Sequence, residues 1–416
     1  MTKFTGWFMA MVGGLATVSA EGREVRYEDL ARWLPEQNGQ VAGALREAEA
    51  ADVETGHLLR SFLPRVGAEL GWENFRTGPY DFQSQPTASL GASLNLFRGG
   101  RDALEHQLRG EKSELAKVDA QRKLRTELRL VRRDYWDLIY LQESIRLVKD
   151  AIEQNAKNLA AAKRRVGAGM GAETDRYEFE IYQTQLEQEL ARLELQQKSA
   201  ERKLGVALGV PVEERLQVVE PPHEHGEGWL PEGLTPEADL SSQGDSLQER
   251  IFDLQGAQAG RWWAPELDVY AHYSLYTFRE REYPSQADRF ETVFGAKLTF
   301  TLFDGLAQGA TARADRRRAE AFRLRANQAY VGARVDFENA RAQLKLTHDL
   351  VHGTERNVEQ SQKYLHGTLS EYQRGLKNSP DVLSASQRYL EARRKFSELK
   401  REYNWTKADL MSMLGR

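Results

Sequence analysis

The chain has 416 residues, a formal net charge of −4, 29% charged residues and no cysteine. Its mean hydropathy is −0.64. These values exclude a disulfide scaffold, a thiolate metal site and an anchor on an N-terminal cysteine. They supply no bulk basic field for nucleic acid.

The first segment, MTKFTGWFMAMVGGLATVSAEG, carries Lys3, an apolar run from Trp7 and then Val18-Ser19-Ala20. This layout predicts a signal peptide over 1–20 and hence export. The run is too short and too rich in glycine to span a membrane as a helix. No later segment approaches 18 consecutive apolar residues. A membrane location would therefore not use helices.

Residues 65–97 read RVGAELGWENFRTGPYDFQSQPTASLGASLNLF. Alternating runs around a Gly/Pro/Asp-rich centre predict two strands that turn near Gly78 and Pro79. From Asp102 to Val166 there is no proline, and the only glycine is Gly110. Leu124, Leu128, Val131, Tyr135, Leu138, Ile145, Ile152, Leu159, Ala162 and Val166 fall mostly at steps of 3, 4 or 7, with Gln142 and Asn155 filling two seam positions. That is a heptad seam on one helix, of roughly 100 Å at 1.5 Å per residue. A turn at 167–171 precedes a second helix, Asp175–Ala207.

The stretch 210–245, containing VVEPPHEHGEGWLPEG, reads as a link. His223 and His225 are candidate metal ligands by type, but no further ligand accompanies them, so no metal site is assigned. Residues 266–303 predict a second strand hairpin, turning near Pro284, and eleven aromatics lie between Trp262 and Phe303. Strands of this length suffice to cross a bilayer as a tilted barrel with aromatic girdles. A second long helix runs from about Gln308 to Tyr372 despite Gly332 and Gly353. Its basic run RADRRRAEAFRLR (313–325) reads as a solvated face rather than a nucleic-acid patch. A turn at 375–380 and a helix Asp381–Met413 complete the chain.

The halves are copies. LNLFRGGRD (94–102) recurs as FTLFDGLAQ (300–308), an offset of 206 shared by Gly169/Gly375, Asp175/Asp381 and Leu208-Gly209/Leu414-Gly415. Before the strands the offset is 201, from Pro64 to Pro265. A constant register over more than a hundred residues means duplication. The first copy spans 21–209 and the second 246–416. Two hairpins give four strands per chain, which cannot close alone, and open edges find no partner in lipid. Two chains would give eight strands and a plugged core, while three give twelve and a lumen. The predicted fold class is a mixed α and β membrane protein. A long α-helical coiled-coil barrel continues from a 12-stranded β-barrel shared by a homotrimer, with four strands per chain and an internal two-fold repeat.

This pattern resembles the TolC family of outer-membrane efflux and secretion channels. The matching motifs are LFRGGRD and LFDGLAQ, the turns RRVGAGMGAETD (164–175) and YQRGLKNSPDVLSA (372–385), and the closing ALG and MLG. The resemblance implies the exit duct of a tripartite efflux or type I secretion system in a Gram-negative outer membrane, extending into the periplasm. Transport would be passive, driven by an inner-membrane transporter through a periplasmic adaptor protein. The adaptor would meet the tip at Gly169, Met170, Gly375 and Leu376. By resemblance, Tyr372 and Lys377 would tie to Asp175, and Asp381 would ring the constriction. Ser384 stands where family members often carry a second acidic residue, which puts a double acidic ring in doubt.

No nucleophile-base pair, phosphate loop or pair of catalytic acids is present, so no catalytic residue and no cofactor is assigned. The rivals are a periplasmic coiled-coil adaptor and a structural rod without a pore. An adaptor would carry one helical hairpin rather than two copies. A soluble rod would leave the aromatic strand hairpins exposed.

Overall fold

The computed structural model describes residues 23–75, 83–169, 171–211, 214, 216–221, 233, 235, 239–277 and 288–415. The expected signal peptide, the turns at Gly78-Pro79 and Pro284, Met170, and His223 and His225 lie outside these residues. In chain order the elements are β1 (Arg23–Val25), α1 (Leu30–Gln37), α2 (Gly39–Thr55), β2 (Arg65–Phe75), β3 (Gln83–Arg98), α3 (Arg101–Gly167), α4 (Glu173–Ala207), β4 (Leu216–Val218), α5 (Leu240–Gly260), β5 (Glu266–Thr277), β6 (Asp288–Thr299), α6 (Ala307–Gln373) and α7 (Ser379–Met413). No helix among the described residues is long and apolar enough to cross a membrane.

Two compact units share the chain. One comprises Gly43–Lys123 and Gly233–Phe337, the other Met1–Ala42, Leu124–Glu232 and Glu338–Arg416. Each draws on both sequence copies. The long helices α3 and α6 each contribute their first part to one unit and their remainder to the other.

The first unit holds a four-stranded antiparallel sheet, ordered β2-β3-β5-β6. The two hairpins join through β3 and β5, where the register shifts between Asn95 and Phe97. Side chains alternate across a strand, so the register fixes what each face carries. One face collects Val66, Ala68, Leu70 and Trp72 with Leu90, Ala92, Leu94, Val269, Ala271, Tyr273, Phe294, Ala296 and Leu298. The other collects Arg65, Gly67, Glu69, Ser89, Gly91, Ser93, Asp268, Tyr270, His272, Ser274 and Lys297.

The helices of this unit pack pairwise. α2 lies on α3, with Thr55 Oγ1 donating to the Arg109 carbonyl at 3.4 Å and Lys117 paired with Asp52 at 2.9 Å. α3 lies on α5, through Arg250–Glu111 at 3.3 Å and an Arg122 guanidinium that donates to the Leu240 carbonyl at 2.9 Å. α5 lies on α6, where Phe252 and Phe322 stack with ring centroids 5.4 Å apart. Asp239 starts α5 by accepting from the Ser241 and Ser242 amides, which satisfies donors that a helix N-terminus leaves without partners.

In the second unit β1 and β4 pair in parallel. Tyr135 on α3 is fully buried, and its hydroxyl meets the carbonyls of Val25 and Val219. Asn38 caps α2 through its side-chain oxygen and gives its amide to the Ala207 carbonyl at 2.8 Å. Farther along, Ile145, Leu147, Val148, Tyr182, Leu186, Leu193 and Leu390 form one apolar cluster. The heptad seam thus becomes core at Leu128, Val131, Tyr135, Leu138, Ile145 and Ala162. Its polar member Asn155 is buried, with its amide donating to the Phe179 carbonyl and the Gln183 side chain, each at 2.9 Å.

Candidate channel surfaces: a two-faced sheet and a helical tip

The sheet is built for two solvents. Leu70 and Phe294 stand 85% and 82% exposed on its apolar face. A continuous exposed apolar face on both hairpins has no role in water, where it invites aggregation. In a bilayer it is the required surface, with the polar face turned to an aqueous interior. Opposite it, glycines make room for rings. A Cβ on Gly295 would sit 3.0 Å from the Tyr270 hydroxyl, and one on Gly91 would sit 3.5 Å from the His272 ring. Phe300, Leu302, Phe303 and Leu306, just past β6, and Trp263, just before β5, are also exposed. They place an apolar and aromatic belt at the strand ends, as at a membrane interface.

The tip is where α3 passes to α4 and α6 to α7. Both turns use a glycine with positive φ, Gly169 at 69° and Gly375 at 80°, the conformation that ends helices at least cost. A cluster of Ala162, Phe179, Tyr372 and Val382 lies just behind them. Phe179 and Tyr372 meet edge to face with centroids 6.2 Å apart. Arg165, in the last turn of α3, lies 4.8 Å above the Tyr372 ring and donates to the Tyr372 carbonyl at 3.1 Å. A cation at two helix C-termini complements the dipoles and gives a second donor to a carbonyl that already accepts from the Gly375 amide at 3.0 Å. Burial holds the Tyr372 phenol above its usual range, against the pull of the Arg165 guanidinium. Its hydroxyl has no hydrogen-bond partner among the described residues.

The helix starts mirror this with negative charge. Ser379, the first residue of α7, is fully buried, and its hydroxyl lies 2.6 Å from Asp175 Oδ1 and 2.7 Å from Glu178 Oε2. A hydroxyl has one proton to donate, so it serves one carboxylate at a time and holds α4 and α7 together. Asn378 and Asp381 form a capping box, in which Asp381 Oδ2 accepts from the Asn378 amide at 3.2 Å. Lys377 lies 3.8 Å from Asp381, and both are about 40% exposed.

Within one chain, the expected ties of Tyr372 and Lys377 to Asp175 are not made. Local capping chemistry takes precedence. Asp381 is engaged by its own helix start and Lys377, and Asp175 by Ser379. The residue that grips Tyr372 is Arg165. The expected residues do gather at one tip, and Leu376 stands exposed there. Four further residues at the site, Arg165, Phe179, Glu178 and Ser379, were not singled out in the sequence. A basic residue in a last helical turn and a serine opening a helix before Pro380 were the available signals.

A profile of the family described as "Outer membrane efflux protein" matches residues 36–210 and 250–416. The chain belongs to that family. Solved structures share the fold. The outer membrane protein VceC from Vibrio cholerae is similar with a TM-score of 0.75 and 15% identity, over 94% of this chain and 96% of that one. The Campylobacter jejuni CmeC outer membrane channel is similar with a TM-score of 0.77 and 13% identity, over 94% and 85%. The Neisseria gonorrhoeae MtrE outer membrane channel in its open state gives 0.74 and 15%, over 94% and 89%. Comparison with curated proteins gave no match. The chain is an outer membrane efflux protein, and its family is one of transport proteins.

Proposed function

We propose that three copies of the chain assemble into one duct, each giving four strands to a twelve-stranded barrel and its long helices to a helical barrel below. The observation that carries this is the sheet. One face is mainly apolar and exposed, the other mainly polar, and among the described residues neither β2 nor β6 pairs with a further strand. Lipid forbids such edges, and a neighbouring copy can pair β6 with β2. Lipid of the outer membrane would cover the apolar face. Transport is passive, without catalysis or cofactor. A periplasmic adaptor meets the tip at Gly169, Met170, Gly375 and Leu376 and couples it to an inner-membrane transporter. Asp175, Tyr372, Lys377 and Asp381 line the gate, and a three-fold axis repeats each charge into a ring. Lys377 pairs only loosely in its own chain, which leaves it able to reach another copy.

The test is native mass after mild-detergent extraction from outer membranes, followed by single-channel conductance. Three times the mature chain mass is expected, with detergent required; a soluble monomer or dimer would overturn the channel assembly. Asp175→Ala and Lys377→Ala are each expected to raise conductance. Unchanged conductance in both would remove them from the gate.

A further inference from the structure

A pair of histidines departs from the repeat. At the offset of 206 that relates α6 to α3, His348 and His352 correspond to Gln142 and Arg146, and Asp349 to Glu143. In the first copy Arg146 pairs with Glu143. The second copy keeps the acid and sets two histidines around it. What the shared fold needs at these positions both copies would need, so packing alone does not call for the histidines.

Residues i and i+4 share one face of a helix. The His348 and His352 rings stand edge to face on α6, with centroids 4.6 Å apart. Two nitrogens on one zinc-sized ion, each at about 2.0–2.1 Å, lie within about 4 Å of each other, so this ring spacing suits a shared ion. Each ring turns its Nδ1 toward a carboxylate of its own helix. His348 Nδ1 lies 3.4 Å from Asp349 Oδ1, and His352 Nδ1 lies 3.8 Å from Glu355 Oε2. Metal-bound histidines are oriented in this way, with Nδ1–H held by a carboxylate and Nε2 given to the metal. The Tyr403 ring of α7 backs His348, with centroids 6.1 Å apart. The His352 side chain is 46% exposed, so an ion can arrive from solution and keep water as its remaining ligands.

We propose that His348 and His352 bind a divalent transition-metal ion through their Nε2 atoms. Imidazole suits zinc, copper and nickel, whereas magnesium and calcium prefer oxygen ligands. Among the described residues no group of three or more His, Cys, Asp or Glu is arranged around a metal, so the ion has two protein ligands and exchangeable water. Such a centre is structural and takes no part in transport chemistry. Its place in α6 shows what it braces. Gly353 follows His352 directly, and nothing lies within 4 Å of where its Cβ would be. A glycine inside a helix weakens it. An ion shared between positions 348 and 352 fixes the turn that leads into Gly353 and stiffens the long helix at a weak point.

The site lies within one chain, so its test does not depend on how many copies assemble. Untagged full-length protein in detergent is dialysed against ZnCl2, and the bound metal is counted. Wild type is expected to hold one zinc more per chain than His348→Ala or His352→Ala, and MgCl2 should not compete. Zinc is also expected to raise the melting temperature of wild type and of neither variant, because a ligand of the folded state stabilises that state. His348 rests against Tyr403, so a further variant separates ligation from packing. Exchanging two neighbours, His352→Gly with Gly353→His, keeps the composition and His348 but moves the second imidazole off the shared face. It should lose the zinc as well. Equal zinc in wild type and the exchanged variant overturns the site. Zinc bound by wild type with no rise in melting temperature overturns the bracing of α6.

Discussion

Asp137 on α3 shows how burial and pairing compete at one residue. Arg401 lies 3.6 Å away, an ion pair that favours the carboxylate, yet Asp137 Oδ1 is buried and accepts no hydrogen bond from the described residues. Burial is the larger influence, and together with nearby Asp134 it pushes the carboxyl up to about 6 against the pull of Arg401. Raised above the usual carboxylate value of about 3.9, this group favours the folded chain most when protonated. Its contribution is fully present below about pH 4 and is lost as pH rises through about 6. Asp137→Asn keeps the neutral form. The melting temperature of the variant is expected to match wild type near pH 4 and to exceed it increasingly toward pH 7. A variant less stable at neutral pH would show that the Arg401 pair outweighs burial. The tip residues Asp175, Tyr372, Lys377 and Asp381 carry the same lesson. The turns beside them were legible in the motifs, but their partners were not, because a capping box or a shared serine is settled by atoms a few residues away.

At the scale of elements, the long helices were legible almost to their ends. Asp102–Val166 was expected, and α3 runs Arg101–Gly167, because a proline-free stretch with a steady apolar period has no competing structure. The two faces of the sheet were only partly legible, because β5 carries aromatic residues on both sides and only the cross-strand register assigns Tyr273 to the mainly apolar face and Tyr270 to the polar one. The closing motifs illustrate repeat positions with unequal roles. Gly209 and Gly415 both have positive φ, 64° and 74°. A Cβ on Gly209 would run into the backbone carbonyl of Gln37, which is fixed, whereas one on Gly415 would meet the Arg125 guanidinium at 2.5 Å, which can swing away. Gly415→Ala is expected to cost about 1 kcal/mol from backbone strain alone. Gly209→Ala adds displacement of α1 and is expected to cost roughly 2–4 kcal/mol. Thermal melting of the two variants compares them, and equal losses would mean the Gln37 contact yields easily.

For the molecule as a whole, what one chain leaves uncovered is as informative as what it buries. Leu346 and Leu350 on α6 remain exposed, as do Tyr177, Ile181 and Leu195 on α4. Their spacing by four and by fourteen residues is that of a second helical seam, on a side other than the one that forms the core. Heptad reading of the sequence found the buried seam of α3 but could not say which seam faces the same chain and which another, since the period is identical for both. An apolar seam on a long helix is retained when a partner covers it. Replacing both Leu346 and Leu350 with Gln removes apolar area without touching the Phe179–Tyr372 cluster of the tip. Each substitution is expected to weaken association by about 1 kcal/mol, since half of a leucine side chain then goes unburied. The helical content of the extracted protein should stay the same while the proposed trimer dissociates at lower detergent concentration. A trimer as robust as wild type would mean that this part of α6 faces water in the assembled duct, and would move the between-copy contact to the seam on α4.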